Sequence, residues 1–97
     1  MKERKFQRKI ADELRTMDCV VLVVSTLPGI PVGFPDLLIL APNGKWLTLE
    51  VKASATSKFQ PLQKATIAKL HGMAYSKVVH PDNWDSIRRE VSGIIKG

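Results

Sequence analysis

Ninety-seven residues suffice for one compact domain, taken here as a single unit over residues 1–97, and exclude a multidomain enzyme within this stretch. A 44% hydrophobic and 25% charged composition excludes a disordered chain, and no apolar run approaches the ~20 residues needed to span a membrane. The net charge of +6 and pI near 9.8 point to an anionic partner, with nucleic acid first.

Cys19 is the single cysteine, which leaves no disulfide framework and no cysteine-based metal cluster. The opening Met1–Phe6 is charged and is not followed by the apolar segment of a signal peptide. Both features suit a cytoplasmic protein. Lys2, Arg4, Lys5, Arg8, Lys9 and Arg15 gather in the first fifteen residues, and Lys52, Lys58, Lys64 and Lys69 form a looser second group. A solvated helix face has the same composition as a nucleic-acid surface, so the charge alone does not separate the two.

In chain order, Phe6, Ile10, Leu14 and Met17 predict a helix over 3–16. Cys19–Val24 is a β-branched run suited to a buried strand. Residues 25–35 hold three prolines and two glycines and form a loop. Residues 36–40 and 46–53 are strand-like, and Asn43-Gly44 between them is a strong hairpin signal. Residues 54–60 make an exposed loop. A helix over 61–71 is expected to bury Leu62, Thr66, Leu70 and Met73, and it ends at Gly72. A strand over 74–79 follows, then a closing helix over 83–95 with Trp84, Ile87, Val91 and Ile94 on one stripe. The order αβββαβα predicts an α/β fold with a central mixed sheet flanked by helices. Short connections make the first strands antiparallel, and the intervening helix suits a crossover to a parallel neighbour.

The third strand carries the chemistry. Its alternation puts Leu47, Leu49 and Val51 on a core face and Thr48, Glu50 and Lys52 on the other. Glu50 and Lys52 then stand ~7 Å apart along the strand, and the hairpin can bring Asp36 near Glu50. Two clustered carboxylates repel unless a cation lies between them. Mg²⁺ is suited to one or two carboxylates, water and phosphate oxygens, and a nearby lysine can stabilise charge during phosphodiester attack. An exposed Glu/Lys pair on a two-faced strand, plus a turn aspartate, would give the same spacing. Glu3 falls on the first helix's apolar stripe, with Glu13 nearer its edge, and Gln63 falls inside the second helix's stripe. Trp46 shares the strand face of Glu50. His71 and His80 have no ligand spacing with each other.

Together, Glu3, Gly33-Phe34-Pro35-Asp36, Glu50-Val51-Lys52 and Gln63 resemble, in order and approximate spacing, the signature of the PD-(D/E)XK nucleases in their virus-type replication-repair (VRR-NUC) branch. The resemblance spans roughly residues 3–80 and implies a restriction-endonuclease-like core of order αβββαβ(α). It implies Asp36, Glu50 and the Val51 backbone carbonyl as ligands of Mg²⁺, which Mn²⁺ can replace. Glu3 would be an outer acidic residue and possible ligand, Lys52 the water-activating or charge-stabilising residue, and Gln63 a supporting one. It further implies a stand-alone phage or prophage type of protein in a bacterial or phage-infected cell. Such a protein would be a homodimer cutting branched DNA such as four-way junctions. The apolar stripes of the first and last helices are the expected dimer interface. The competing readings are a DNA-binding module on a nuclease fold that does not cut, and a small interaction protein whose charge is incidental.

Overall fold

The computed structural model describes residues 2–97. Helix α1 (Glu3–Arg15) forms because Phe6, Ile10, Ala11 and Leu14 recur at helical spacing, and all four are buried. Burying side chains the size of Phe6, Ile10 and Leu14 contributes ~1.5–3 kcal/mol each, which fixes α1 against the sheet. The chain leaves the helix through Asp18, whose φ of 63° is left-handed, a conformation that aspartate tolerates better than most residues.

Strand β1 (Val20–Val23) follows, then a 3₁₀ turn over Val24–Thr26, so the strand is shorter at its end than expected. Strands β2 (Leu37–Leu40) and β3 (Trp46–Val51) form the expected hairpin, closed at Gly44 with φ 83°. Helix α2 (Gln63–His71), β4 (Tyr75–Val79) and α3 (Trp84–Lys96) complete the chain. The sheet order is β1-β2-β3-β4, with the first two pairings antiparallel and β3–β4 parallel, as the connection lengths predict.

Helices α1 and α3 share one face of the sheet, where Leu37, Ile39, Leu47, Leu49, Val51 and Val79 meet Phe6, Leu14, Trp84 and Val91 in one core. Helix α2 packs against β4, and its Gln63 reaches Glu50 on the opposite face of β3. Strand β3 is therefore covered on both sides, and its outward residues Thr48 and Glu50 are as buried as its apolar ones. Two expectations are corrected. Leu62 and Met73 are 64% and 63% exposed, and Gln63 and Ile67 are the buried residues of α2. The helix begins at Gln63, after Leu62 takes a left-handed φ of 73°, so Leu62 lies outside the helix while Gln63 is buried as its place on the stripe predicts. The stripes of α1 and α3, expected as a dimer interface, are instead covered within the chain's own core. Among the described residues, no helix is long and apolar enough to cross a membrane.

Candidate active site

The β2–β3 register pairs Leu37 with Leu49, and one further step sets Asp36 opposite Glu50. Directly opposed residues of an antiparallel pair project to the same face with Cβ atoms ~5 Å apart, so the hairpin itself brings the two carboxylates together. The backbone locks Asp36 at both ends. Its carbonyl accepts the Val24 N–H at 2.9 Å, and its Oδ2 accepts the Val51 N–H at 2.9 Å.

Glu50 is 2% exposed and Lys52 is 7% exposed, which rules out the exposed-pair reading. Glu50 Oε2 accepts Gln63 Nε2 at 2.8 Å and lies 3.3 Å from Lys52 Nζ. Lys52 Nζ also donates to Gln63 Oε1 at 3.1 Å and to the Lys58 carbonyl at 3.0 Å. Gln63 Oε1 takes the Gln60 N–H as well, at 2.8 Å. Gln63, the first residue of α2, thus ties β3 to the 54–60 loop and holds the carboxylate and the ammonium in fixed relation. Glu50 Oε1 is buried and has no hydrogen-bond partner among the described residues.

Burial, and next the nearby Asp36 charge, raise the Glu50 carboxyl to about 7, against the opposing pull of Lys52 and Gln63. Asp36 is also raised, by desolvation, although the Val51 N–H, Glu50, Lys52 and Ser25 all act to lower it. A buried and a half-buried acid that resist ionising together, one with an oxygen that has no hydrogen-bond partner among the described residues, fit a divalent cation. Among the described residues no group of three or more Asp, Glu, His or Cys side chains assembles, so the protein offers a pair of carboxylates. That is the donor set Mg²⁺ tolerates, with the remaining positions left to backbone, water or substrate oxygens.

Glu3 does not join the cluster. Helix α1 starts at this residue, one turn before the packed stripe begins at Phe6, and its carboxylate stays exposed, where the helix N-terminus favours it. Glu13 is engaged elsewhere, accepting Trp84 Nε1 and pairing with Arg88. Trp46 sits at the far end of β3 from Glu50, among Gly44, Lys45 and Leu70. His71 Nδ1 accepts the Ser76 N–H and is outside the carboxylate pair. The contributions of the Lys58 carbonyl and Gln60 N–H escape a reading of the sequence, because main-chain groups carry no residue-type signal.

A mixed four-stranded sheet with an Asp/Glu/Lys cluster at the β2–β3 hairpin defines a nuclease-type α/β domain. The chain is similar to a solved structure described as a VRR_NUC domain, at 25% identity and a TM-score of 0.69, over 80% of this chain and 83% of that one. The chain thus shares the fold of a VRR-NUC domain. No family model matches the sequence. No curated protein matches it either.

Proposed function

We propose that this domain is a Mg²⁺-dependent endonuclease that hydrolyses phosphodiester bonds in DNA, preferentially at branches such as four-way junctions. The observation that carries the reading is the buried Glu50 Oε1 beside Asp36, without a hydrogen-bond partner among the described residues, with Lys52 Nζ held 3.3 Å from the same carboxylate. Asp36, Glu50 and the Val51 carbonyl are the proposed ligands. Bound there, Mg²⁺ would supply Lewis-acid polarisation of a phosphate and would make an attacking water more acidic. Lys52 supplies a fixed positive charge for the developing negative charge of the phosphate, preorganised because its other acceptors, Lys58 and Gln63, hold it in place. Gln63 is a positioning residue acting through Glu50 and Lys52. Glu3, exposed at the start of α1, stands apart from this carboxylate pair.

The branched substrate and a homodimeric assembly rest on the resemblance carried by Gly33–Asp36, Glu50–Lys52 and Gln63. One copy has one carboxylate pair, so cutting two strands at a branch in one encounter calls for two copies. The test is cleavage of labelled four-way junction, flap and linear duplex DNA in Mg²⁺ or EDTA, by wild-type, Asp36→Ala and Lys52→Ala proteins. Metal-dependent cutting is expected, reduced by at least about a hundredfold in both variants, a loss typical of removing one electrostatic stabiliser. Binding of all three DNAs without cutting in Mg²⁺ or Mn²⁺ would leave the non-catalytic module instead. Sedimentation that finds a monomer on junction DNA would refute the dimer.

A further inference from the structure

A groove of about 420 Å³ runs between α2 and β4, away from the carboxylates. Phe59, Ile67 and Val78 supply its apolar surface, and Lys64, His71 and Lys77 add cationic or polar edges. Among the described residues, no acidic side chain lines it. The volume lies within the range of small-ligand pockets and accommodates one nucleotide.

Phe59 joins the groove to the candidate active site. Lys52 Nζ lies 4.9 Å from its ring centroid and Lys64 Nζ 5.1 Å. Its chain neighbours, the Lys58 carbonyl and the Gln60 N–H, are the groups that hold Lys52 and Gln63. The ring is therefore fixed by the same loop that fixes the lysine. Lys64 is exposed and its ammonium is free to swing from the ring to a phosphate. Ser76 Oγ is already bonded to Thr48 Oγ1 at 2.7 Å, and His71 Nδ1 to the Ser76 N–H at 3.1 Å, so these groups offer little base-specific readout.

We propose that this groove binds one unpaired nucleotide of the DNA strand, its base stacked on Phe59 and its phosphates met by Lys64 and Lys77. The inference rests on the nuclease reading and names the feature of branched DNA that the site selects. Stacking on an aromatic ring combined with flanking cations is a sequence-tolerant way to hold a single strand. A fully paired duplex fills the groove only by extruding a base, whereas a nucleotide at a branch or bulge is already unpaired. Selection for structure over sequence follows.

The test is binding in EDTA, where cleavage plays no part. Anisotropy would compare a labelled duplex carrying one unpaired adenine with the same duplex abasic at that position. Wild-type protein is expected to prefer the base-bearing DNA by roughly tenfold. Phe59→Ala should abolish the preference by weakening only that complex, and Phe59→Trp should retain it. Joint Lys64→Ala and Lys77→Ala should weaken both complexes equally and reduce the salt dependence. Equal wild-type affinity for the two DNAs, or equal weakening of both by Phe59→Ala, overturns the proposal. Preference without Mg²⁺-dependent cleavage would instead remove the nuclease reading and leave the groove standing.

Discussion

Glu50 is the residue where folding and function oppose each other most directly. Its carboxyl is raised to about 7 by burial and by Asp36, against an ordinary value of 4.5. Between those two values the folded chain holds a proton that the unfolded chain has released. Stability contributed by this group is thus complete below pH ~4.5 and is lost as pH rises through about 7, a change on the order of 3 kcal/mol. Glu50→Gln keeps a hydrogen-bonding side chain of the same shape and removes the titration. In EDTA, urea unfolding from pH 4.5 to 8 should show the variant gaining on wild-type by that order as pH rises. Adding Mg²⁺ at pH 8 should stabilise wild-type protein, because the ion binds only the folded state, and should leave the variant unmoved. A wild-type-to-variant difference that stays constant across this pH range would show that Glu50 ionises freely in the fold.

The meeting of the 25–35 loop with α2 is the element-scale counterpart. Gly33 has φ 86°, and a Cβ there would lie 3.0 Å from Thr66 Oγ1 and 3.1 Å from both the carbonyl carbon and oxygen of Leu62. Two of these three neighbours are backbone, at the residue just before Gln63. Gly33→Ala is expected to cost about 2–3 kcal/mol, combining left-handed strain with displacement of the α2 start, and to lower cleavage by moving Gln63. Leu62→Gly tests the same junction in reverse. The exposed leucine occupies φ 73°, and relief of strain less the entropy of glycine should yield a gain of ~0.5–1 kcal/mol with the Gln63 bonds intact. Denaturant midpoints for the two variants should move in opposite directions. The same junction marks how far the fold is legible in the sequence. Alternation along Trp46–Val51 and the Asn43-Gly44 hairpin reveal the face of Glu50 and its pairing with Asp36, because strand period and turn chemistry are local. The inward face of α2 is legible at Gln63, which falls on the expected stripe and is buried, but not at Leu62, whose left-handed conformation no propensity favours. The exposure of Glu3 is hidden too, because helical periodicity does not reveal where the packed surface ends.

At the scale of the whole molecule, charge is sorted by location. Asp12 pairs with Arg15, and Glu13 and Asp85 both pair with Arg88. Glu90 accepts the Tyr75 hydroxyl, while Asp36 and Glu50 are drawn into the site. Among the described residues, no ion pair engages the exposed Lys2, Arg4, Lys5, Arg8 or Lys9. Arg4 and Arg8 line a cleft with Arg15, Val23 and Thr26. Thr26 ends the 3₁₀ turn whose first residue, Val24, bonds the Asp36 backbone. The α1 cations are thereby linked through one short turn to the carboxylates, a placement suited to phosphates flanking the one that reacts. Phosphate contacts of this kind position DNA without reading its bases or its branching. Joint Arg4→Ala and Arg8→Ala should weaken binding to junction, flap and linear duplex by the same factor. The log–log salt slope should shrink by about 1.8, since two phosphates would keep their condensed counterions. Unfolding free energy should change little, since both side chains are exposed and, among the described residues, outside any ion pair. Titrations of the three DNAs at several salt concentrations measure both the affinity and the slope. Weakening confined to the junction would make α1 a reader of branching, and the Phe59 groove would then no longer be needed to explain selectivity.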